Sequence, residues 1–166
     1  MSHDHTDPIA RGVAVFGEMH PPARTAAFAA ATDPAMAGGR MQRLAADFVF
    51  GRIWGDTERL DHRACSLVTL GALIALGTGD EFGNHVRVGI ANGLSHREIE
   101  EAITHSAAYV GFPAARAAMT VAAHIFAEDG TGESAGVPAG QSFQILTTGR
   151  HHATDLAHYR MLSRTW

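Results

Sequence analysis

The sequence predicts an all-α fold built as one compact helical domain, and two segments carry that prediction. Residues 67–76 read Leu-Val-Thr-Leu-Gly-Ala-Leu-Ile-Ala-Leu, which is apolar on every side, as a central buried helix would be. The pair Asn92-Gly93 predicts the left-handed end of one helix. The Ser-x-x-Glu box from Ser95 to Glu98 predicts the start of the next, because each side chain satisfies the other's orphan backbone donor.

Three helices are predicted in front of the central one. Residues 1–8 are predicted to form a disordered tip, and residues 9–20 a short amphipathic helix that a Pro-Pro pair ends. A second helix over residues 23–31 stops at an Asp-Pro pair. From residue 41 to about residue 54, apolar residues recur at helical spacing, which predicts a third helix.

The central helix has predicted boundaries on both sides. Asp61 is a good N-cap for it, and the Gly-Thr-Gly sequence of residues 77–79 breaks the chain after it. Asp80 is predicted to cap the helix that follows. Within the central helix, Gly71 would let a neighbouring backbone approach closely.

The last predicted helix begins at Pro113, where a proline in the first turn does no harm, and runs to Phe126. Residues 9–127 are therefore the predicted helical domain. Residues 128–142 are rich in glycine and small polar residues and are predicted to be a loop. Residues 143–166 form a C-terminal extension, whose apolar stripe predicts packing on a neighbouring subunit.

Composition and charge exclude several classes of function. The net charge of −4 without a basic tract gives no electrostatic case for a nucleic acid or an anionic membrane as partner. All 13 basic residues are arginine, which excludes Schiff-base chemistry, lysine-bound pyridoxal phosphate and a Walker-type phosphate loop. One cysteine cannot form an internal disulfide, and the polar first residues lack an apolar signal core, which predicts a cytoplasmic protein.

A metal site is not predicted. The eleven histidines include no His-x-x-x-His pair, and the one local cluster, of His151, His152 and His158, lies in the C-terminal extension. We therefore expect neither a metal ion nor a cofactor.

Glu81 and His85 are the strongest candidates for catalysis. They are four residues apart, which places them on one face of a helix. An imidazole titrates near neutral pH, so His85 could serve as a general acid or base, with Glu81 orienting it and stabilising its charged form. The alternatives are a histidine that bonds a backbone carbonyl and a solvated acid in the first turn of a helix.

A series of short motifs follows one another along the chain. They are Arg11-Gly12, Phe50 to Gly55, Leu60-Asp61, Ser66 to Leu70, Glu81 to Arg87, Asn92 to Ile99, and His105 to Ala114. In this order and spacing they resemble the carboxymuconolactone decarboxylase family, within the alkylhydroperoxidase D-like superfamily, over roughly residues 9–127. The resemblance implies a helical unit that assembles into a homo-oligomer, commonly a trimer or a hexamer.

The resemblance also implies a cofactor-free lyase that decarboxylates, or isomerises by acid-base chemistry, a carboxylated unsaturated lactone or a related small acid. Loss of carbon dioxide leaves electron density that the conjugated lactone carbonyl can accept. The enzyme then needs a group that holds the carboxylate, a donor for the developing oxyanion and an acid that delivers a proton to carbon. His85 with Glu81 would deliver the proton.

Five further positions match the resemblance. Arg52 or Arg87 would bind the substrate carboxylate, and Trp54 would stand in the pocket wall beside Arg52. The alternative is a surface arginine beside a core tryptophan. His105 or Tyr109 would donate to the oxyanion, with His105 counted among the catalytic residues; both could instead be buried, hydrogen-bonded core residues.

Two departures from the family pattern leave the reaction open. Cys65 stands where the family usually has arginine, and Arg52 where it often has an acid. A biosynthetic cyclase or isomerase on the same fold, or a non-catalytic helical binding or assembly protein, is therefore an alternative. Peroxidases of the superfamily carry Cys-x-x-Cys before the equivalent histidine, where this chain has Thr78 and Glu81. Cys65 alone lacks a resolving partner, which excludes that activity and predicts a small buried residue.

Overall fold

The structure, a computed structural model, describes residues 7–130, and every regular element among them is helical, which confirms the predicted all-α fold. The elements are α1 (Pro8–Glu18), α2 (Pro22–Ala30), α3 (Gly39–Leu44), a π-helix (Ala45–Trp54), α4 (His62–Leu76), α5 (Gly79–Ala91), α6 (His96–Val110) and α7 (Phe112–Asp129). Because α7 continues to Asp129, the first two residues of the predicted loop are helical. The rest of that loop from residue 131, and the C-terminal extension, lie outside the described residues.

The N-terminal half of the described chain, from α1 to the π-helix, packs by close backbone contact. A Cβ atom at Gly12 of α1 would lie only 1.8 Å from the carbonyl oxygen of Ala46 in the π-helix, so the crossing requires a glycine. The rings of Phe16, Phe28 and Phe50 pack beside it, with centroids 4.0 to 5.3 Å apart. Glycine and aromatic rings together hold α1 against the π-helix.

The predicted third helix is not a regular α-helix. Beyond Leu44 the chain continues as a π-helix, in which a backbone N–H bonds the carbonyl five residues earlier; Gly55 closes it by donating to the Phe50 oxygen at 2.8 Å. Side chains five positions apart are therefore neighbours here, whereas an α-helix brings together positions three and four apart.

In the C-terminal half, α4 to α7, most predicted caps are confirmed. The Asp61 carboxylate accepts a backbone hydrogen bond at the start of α4, and both bonds of the Ser95 and Glu98 capping box are present at the start of α6. The prediction for α5 was wrong, because Thr78 is its N-cap residue and Asp80 lies inside the first turn. An acid in that turn still interacts favourably with the helix dipole.

The expectation that α4 is buried on every side is wrong for the single chain. One side, with Leu70 and Ile74, packs into the apolar core formed with α5, α6 and α7. The opposite side is open, with Val68 at 65% and Leu76 at 72% exposure. At Gly71 an added Cβ would have no heavy atom within 4 Å, so no backbone of this chain approaches it.

The two halves meet in a small cluster of their own. Val15, Met19 and Trp54 of the N-terminal half pack there against Cys65 of α4 and Val88 of α5. Packing at this junction fixes the orientation of α5 relative to the corner between α1 and α2. In the described range, no helix is both long enough and apolar enough to cross a membrane.

Candidate active site

His85 lies on α5 at the junction of the two halves. Its ring stacks on that of Trp54, with the centroids 6.0 Å apart and the planes at 28°. The His85 side chain is half-buried, and its Nδ1 atom is fully buried with no hydrogen-bond partner among the described residues. A buried polar atom without a partner is costly and calls for a functional reason. His85 is therefore the centre of the candidate site.

Charges from both halves act on this imidazole. Burial lowers the pKa of His85 below its usual value, and the nearby His20 and Arg24 lower it further. The charge of Glu81, one turn earlier on α5, raises it. Burial outweighs Glu81, so the His85 pKa is lowered overall and the ring is mainly neutral at neutral pH.

Glu81 acts on His85 through its charge alone. The two residues share one face of α5, as their spacing predicts. Glu81 is exposed, and within residues 7–130 no hydrogen bond joins it to His85. It can favour the imidazolium without fixing the direction of the ring.

His20 and Arg24 enter the site from the corner between α1 and α2. His20 Nδ1 lies 2.9 Å from the Phe16 carbonyl oxygen, and because that oxygen can only accept, Nδ1 donates. The same ring stacks on Phe16 at a centroid distance of 3.7 Å, and burial lowers the pKa of His20. Arg24 Nη1 donates to Asn84 Oδ1 at 3.2 Å, which joins α2 to α5 beside His85.

A cleft of about 440 Å³ opens beside His20, Arg24 and Asn84, and the His85 side chain itself is not among its lining residues. It runs between the α1–α2 corner, α5 and the end of α7. Its charged and polar lining residues are His20, Arg24, Asn84, Arg87, Glu128 and Asp129, and Met19 and Ile125 are among the apolar ones. A cleft of this size with a few convergent polar groups suits a small molecule.

Arg87 lines this cleft but already has an acidic partner. Its Nη2 atom lies 2.7 Å from Glu128 Oε2. The other carboxylate of the cleft, Asp129, lies 3.1 Å from His96 Nε2. These contacts hold the end of α7 against α5 and α6.

Trp54 packs against His85 at the junction of the two halves. It is almost completely buried and faces His85 at the junction. His62 Nε2 lies 3.0 Å from the Trp54 carbonyl oxygen and donates to it, which joins the end of the π-helix to the start of α4. Trp54 does not line the cleft, and its place in a substrate pocket stays a prediction.

Arg52 is paired with Asp47 within the π-helix. Its Nε and Nη2 atoms bind Asp47 Oδ1 and Oδ2 at 3.0 and 3.2 Å, and its side chain is 65% exposed. The two residues are five positions apart, and the π-helix is what makes them neighbours. Arg52 does not line the cleft.

His105 and Tyr109 lie on a different surface. They contact each other on α6 with ring centroids 5.2 Å apart, and Tyr109 is 77% exposed, so a buried core position is wrong for it. His105 is also exposed and lines an open groove of about 630 Å³ between α4 and α6. Neither side chain lines the cleft beside His85.

Cys65 is a buried thiol at the junction. Burial raises its pKa, and the charge of Asp61 adds to that effect, so the nucleophilic thiolate is disfavoured. This confirms the predicted small buried residue. Over residues 7–130, no three His, Cys, Asp or Glu side chains group closely enough to hold a metal ion, and the histidines at positions 151, 152 and 158 lie outside that range.

Sequence reasoning missed His20, Arg24 and Asn84. His20 and Arg24 flank a Pro-Pro pair that indicates only a helix boundary, and no spacing links them to His85 more than sixty residues later. Asn84 precedes His85 directly, which is the one local signal available. Only the packing of α2 near α5 brings the three together.

Comparison with known proteins gives one family and two relatives. The sequence model of the carboxymuconolactone decarboxylase family matches residues 39–124, just over half of the chain. A 4-carboxymuconolactone decarboxylase of Acinetobacter baylyi is 37% identical over 89 residues, which cover 54% of this chain and 66% of the relative. A nitrosuccinic acid decarboxylase of Metarhizium robertsii is 39% identical over 80 residues, which cover 48% of this chain and 55% of the relative. The chain thus spans less than two thirds of each relative's length.

Proposed function

The chain belongs to the carboxymuconolactone decarboxylase family, and we propose that it decarboxylates a small organic acid at His85. The names of its two relatives support a class of substrate, since one acts on carboxymuconolactone and the other on nitrosuccinic acid. Each of these molecules is an acid that carries an electron-accepting group, a conjugated lactone carbonyl in one and a nitro group in the other. An acid of this kind is the substrate class we propose here.

In this reaction the substrate itself accepts the electrons. Cleavage of the bond to the carboxylate carbon releases carbon dioxide and leaves an electron pair that the lactone carbonyl or the nitro group delocalises. A proton must then reach a carbon of the delocalised anion. His85 donates it as the imidazolium and becomes neutral, and solvent restores its proton. The net reaction consumes one proton and releases one carbon dioxide.

The single observation that carries the proposal is the setting of His85. A half-buried imidazole with an unpartnered Nδ1 atom follows directly after Asn84, which lines a cleft of suitable size, and the pKa of this imidazole is shifted by burial and by Glu81, His20 and Arg24. Titratable groups whose pKa values are shifted by burial and by specific charges are candidates for acid-base work.

Replacement of His85 tests the proposal. We expect His85→Ala to lower kcat about a hundredfold or more, because general acid-base groups typically contribute that much. The assay follows carbon dioxide release across a panel of carboxylated lactones and nitro-substituted acids. Arg59→Ala is the control, since Arg59 is exposed, pairs with Asp56 and does not line the cleft. Turnover of His85→Ala equal to the wild type would contradict the proposal.

Two treatments separate this scheme from other chemistry. We expect Cys65→Ser and incubation with a chelator to leave turnover unchanged, because the scheme uses neither a thiol nor a metal ion. A loss of activity with the chelator would instead indicate a metal-dependent reaction. Mass spectrometry of the product distinguishes decarboxylation from cyclisation or isomerisation, since only decarboxylation lowers the mass by one carbon dioxide.

We also propose that the active form is a homo-oligomer, a trimer or a hexamer. The open side of α4 supports this, because Leu67, Val68 and Leu76 form an apolar surface that water would otherwise cover. The groove between α4 and α6 continues that surface to His105. In such an assembly His105 and Tyr109 would lie at or near a contact between subunits.

A further inference from the structure

We propose that Arg24, together with the amide of Asn84, binds the carboxylate of the substrate in the cleft beside His85. This inference rests on the proposed decarboxylase function and gives it a substrate-binding residue that no sequence motif indicates. The ligand class is a small organic acid, of which succinate is a simple unreactive example.

The partners of the candidate arginines favour Arg24. Arg87 is paired with Glu128, and Arg52 is held by both carboxylate oxygens of Asp47. Arg24 has a different kind of partner, because its hydrogen bond goes to the neutral amide of Asn84. Across residues 7–130 it forms no ion pair with a carboxylate. Its charge is therefore available to an anionic ligand, which a guanidinium can bind with two parallel hydrogen bonds.

Asn84 supplies a second donor at the same place. Its Oδ1 atom accepts from Arg24, and since an amide also carries two N–H donors, Nδ2 remains for a ligand oxygen. Arg24 and Asn84 both line the cleft, as does His20 at the end of α1. A carboxylate bound there would meet donors from α2 and α5 together.

The position of Arg24 links substrate binding to the proton on His85. In the free protein, the charges of Arg24 and His20 both act on His85 and lower its pKa. A bound carboxylate would offset those charges, because an anion beside an imidazole favours the imidazolium. An acidic ligand would thus favour the charged, protonated form of His85, whereas the neutral ester of the same ligand would not. The contact between the carboxylate and Arg24 thus selects acidic substrates and also favours the protonated form of His85.

The experiment measures ligand binding without turnover. Histidine resonances are titrated by NMR with and without succinate, and the His85 signal is assigned by its loss in His85→Ala. In the wild type we expect succinate to raise the His85 pKa, and in Arg24→Gln we expect no such response. Arg59→Gln is the matched control, since Arg59 is exposed, pairs with Asp56 and does not line the cleft. Arg24→Lys, which keeps the charge, should recover part of the response.

Kinetics on an active acid give a second readout. We expect Arg24→Gln to raise KM about ten- to hundredfold, the loss typical of a hydrogen-bonded charged group, with a smaller effect on kcat. A succinate response in Arg24→Gln equal to that of the wild type would overturn the proposal, as would no response in the wild type. A response lost in Arg52→Gln instead would assign the carboxylate to Arg52. Failure of the decarboxylase proposal is seen separately, as unchanged turnover in His85→Ala.

Discussion

The two halves of the described chain are both helical, but they are held together by different means. In the N-terminal half, α1 lies so close to the π-helix that Gly12 has no room for a side chain, and aromatic rings fill the surrounding space. In the C-terminal half, capped α-helices enclose a core of mostly aliphatic residues, such as Leu70, Val86 and Ile103, together with the ring of Phe82. The first half depends on close backbone contact, and the second on caps and apolar burial.

The difference matters because the candidate site takes residues from both halves. The proposed proton carrier, His85, and the acid that favours its charge, Glu81, belong to the C-terminal half. His20 and Arg24, which disfavour that charge, belong to the N-terminal half. The protonation of His85 therefore depends on how the two halves meet. The charged residues of each half can be substituted separately.

The largest expected effect is on the close crossing in the N-terminal half. Gly12→Ala would place a Cβ atom 1.8 Å from a backbone oxygen that cannot move aside cheaply. We expect it to lower the free energy of unfolding by about 3 kcal/mol or more, at the upper end of the cost of overpacking. Urea denaturation followed by circular dichroism measures this. A stability equal to the wild type would contradict the described packing.

Gly71→Ala is the matched change in the C-terminal half. An alanine there would meet no heavy atom of the chain within 4 Å, and alanine favours a helix over glycine by about 1 kcal/mol. We expect the variant to be at least as stable as the wild type. A loss of assembly without a loss of helix content would show that another subunit approaches Gly71 closely.

The next effect concerns which half carries the contact between subunits. We expect Val68→Glu on α4 to shift the protein towards monomers, because it places a charge on the open apolar side of that helix. Phe48→Glu, on the open side of the π-helix at 58% exposure, is the matched change in the other half. Multi-angle light scattering at micromolar concentration measures the mass of each. A monomeric wild type would contradict the proposed assembly.

A smaller effect is expected from a cap in the C-terminal half. Ser95→Ala removes the oxygen that accepts from the Glu98 backbone N–H at 3.2 Å. We expect the free energy of unfolding to fall by about 1 kcal/mol, the usual cost of losing an N-cap. Thermal unfolding by calorimetry measures it, and Ser106→Ala, within the same helix, is the control. An unchanged stability would indicate that packing alone holds this end of α6.

The smallest effect is a shift in pH dependence, with opposite signs from the two halves. Glu81 raises the pKa of His85, so Glu81→Gln should lower it and move the basic limb of the kcat/KM profile to lower pH. His20 lowers that pKa, so His20→Asn should raise it and move the same limb to higher pH. NMR titration of His85 measures both shifts directly. Shifts of the same sign in both variants would contradict the assignment of these charges.

Much of the C-terminal half could be predicted because its signals are local. Asp61, Gly93 and the box from Ser95 to Glu98 act within a few residues of where they stand, and each works as its chemistry indicates. The shared face of Glu81 and His85 follows in the same way from the 3.6-residue period of an α-helix.

The helical period of residues 45–54 differs from that of the α-helices, and this difference affects the interpretation of Arg52. Arg52 was expected to bind a carboxylate of the substrate, but in the π-helix a residue is a neighbour of the one five positions earlier, and Asp47 stands there. No cap or propensity in residues 45–54 distinguishes a π-helix from an α-helix, and the segment packs closely against α1, which lies well before it in the chain. A local sequence pattern does not carry that information.

The sequence by itself determined the all-α class, most helix ends, the family, the buried state of Cys65 and the common face of Glu81 and His85. Each of these follows from interactions between residues close in the chain, or from a motif that spans a few turns. The tertiary structure alone decided that α4 has an open side, that His105 and Tyr109 do not line the cleft, and that His20 and Arg24 act on His85. Those outcomes depend on which helices pack together, and contacts between residues more than sixty positions apart leave no periodic trace in the sequence.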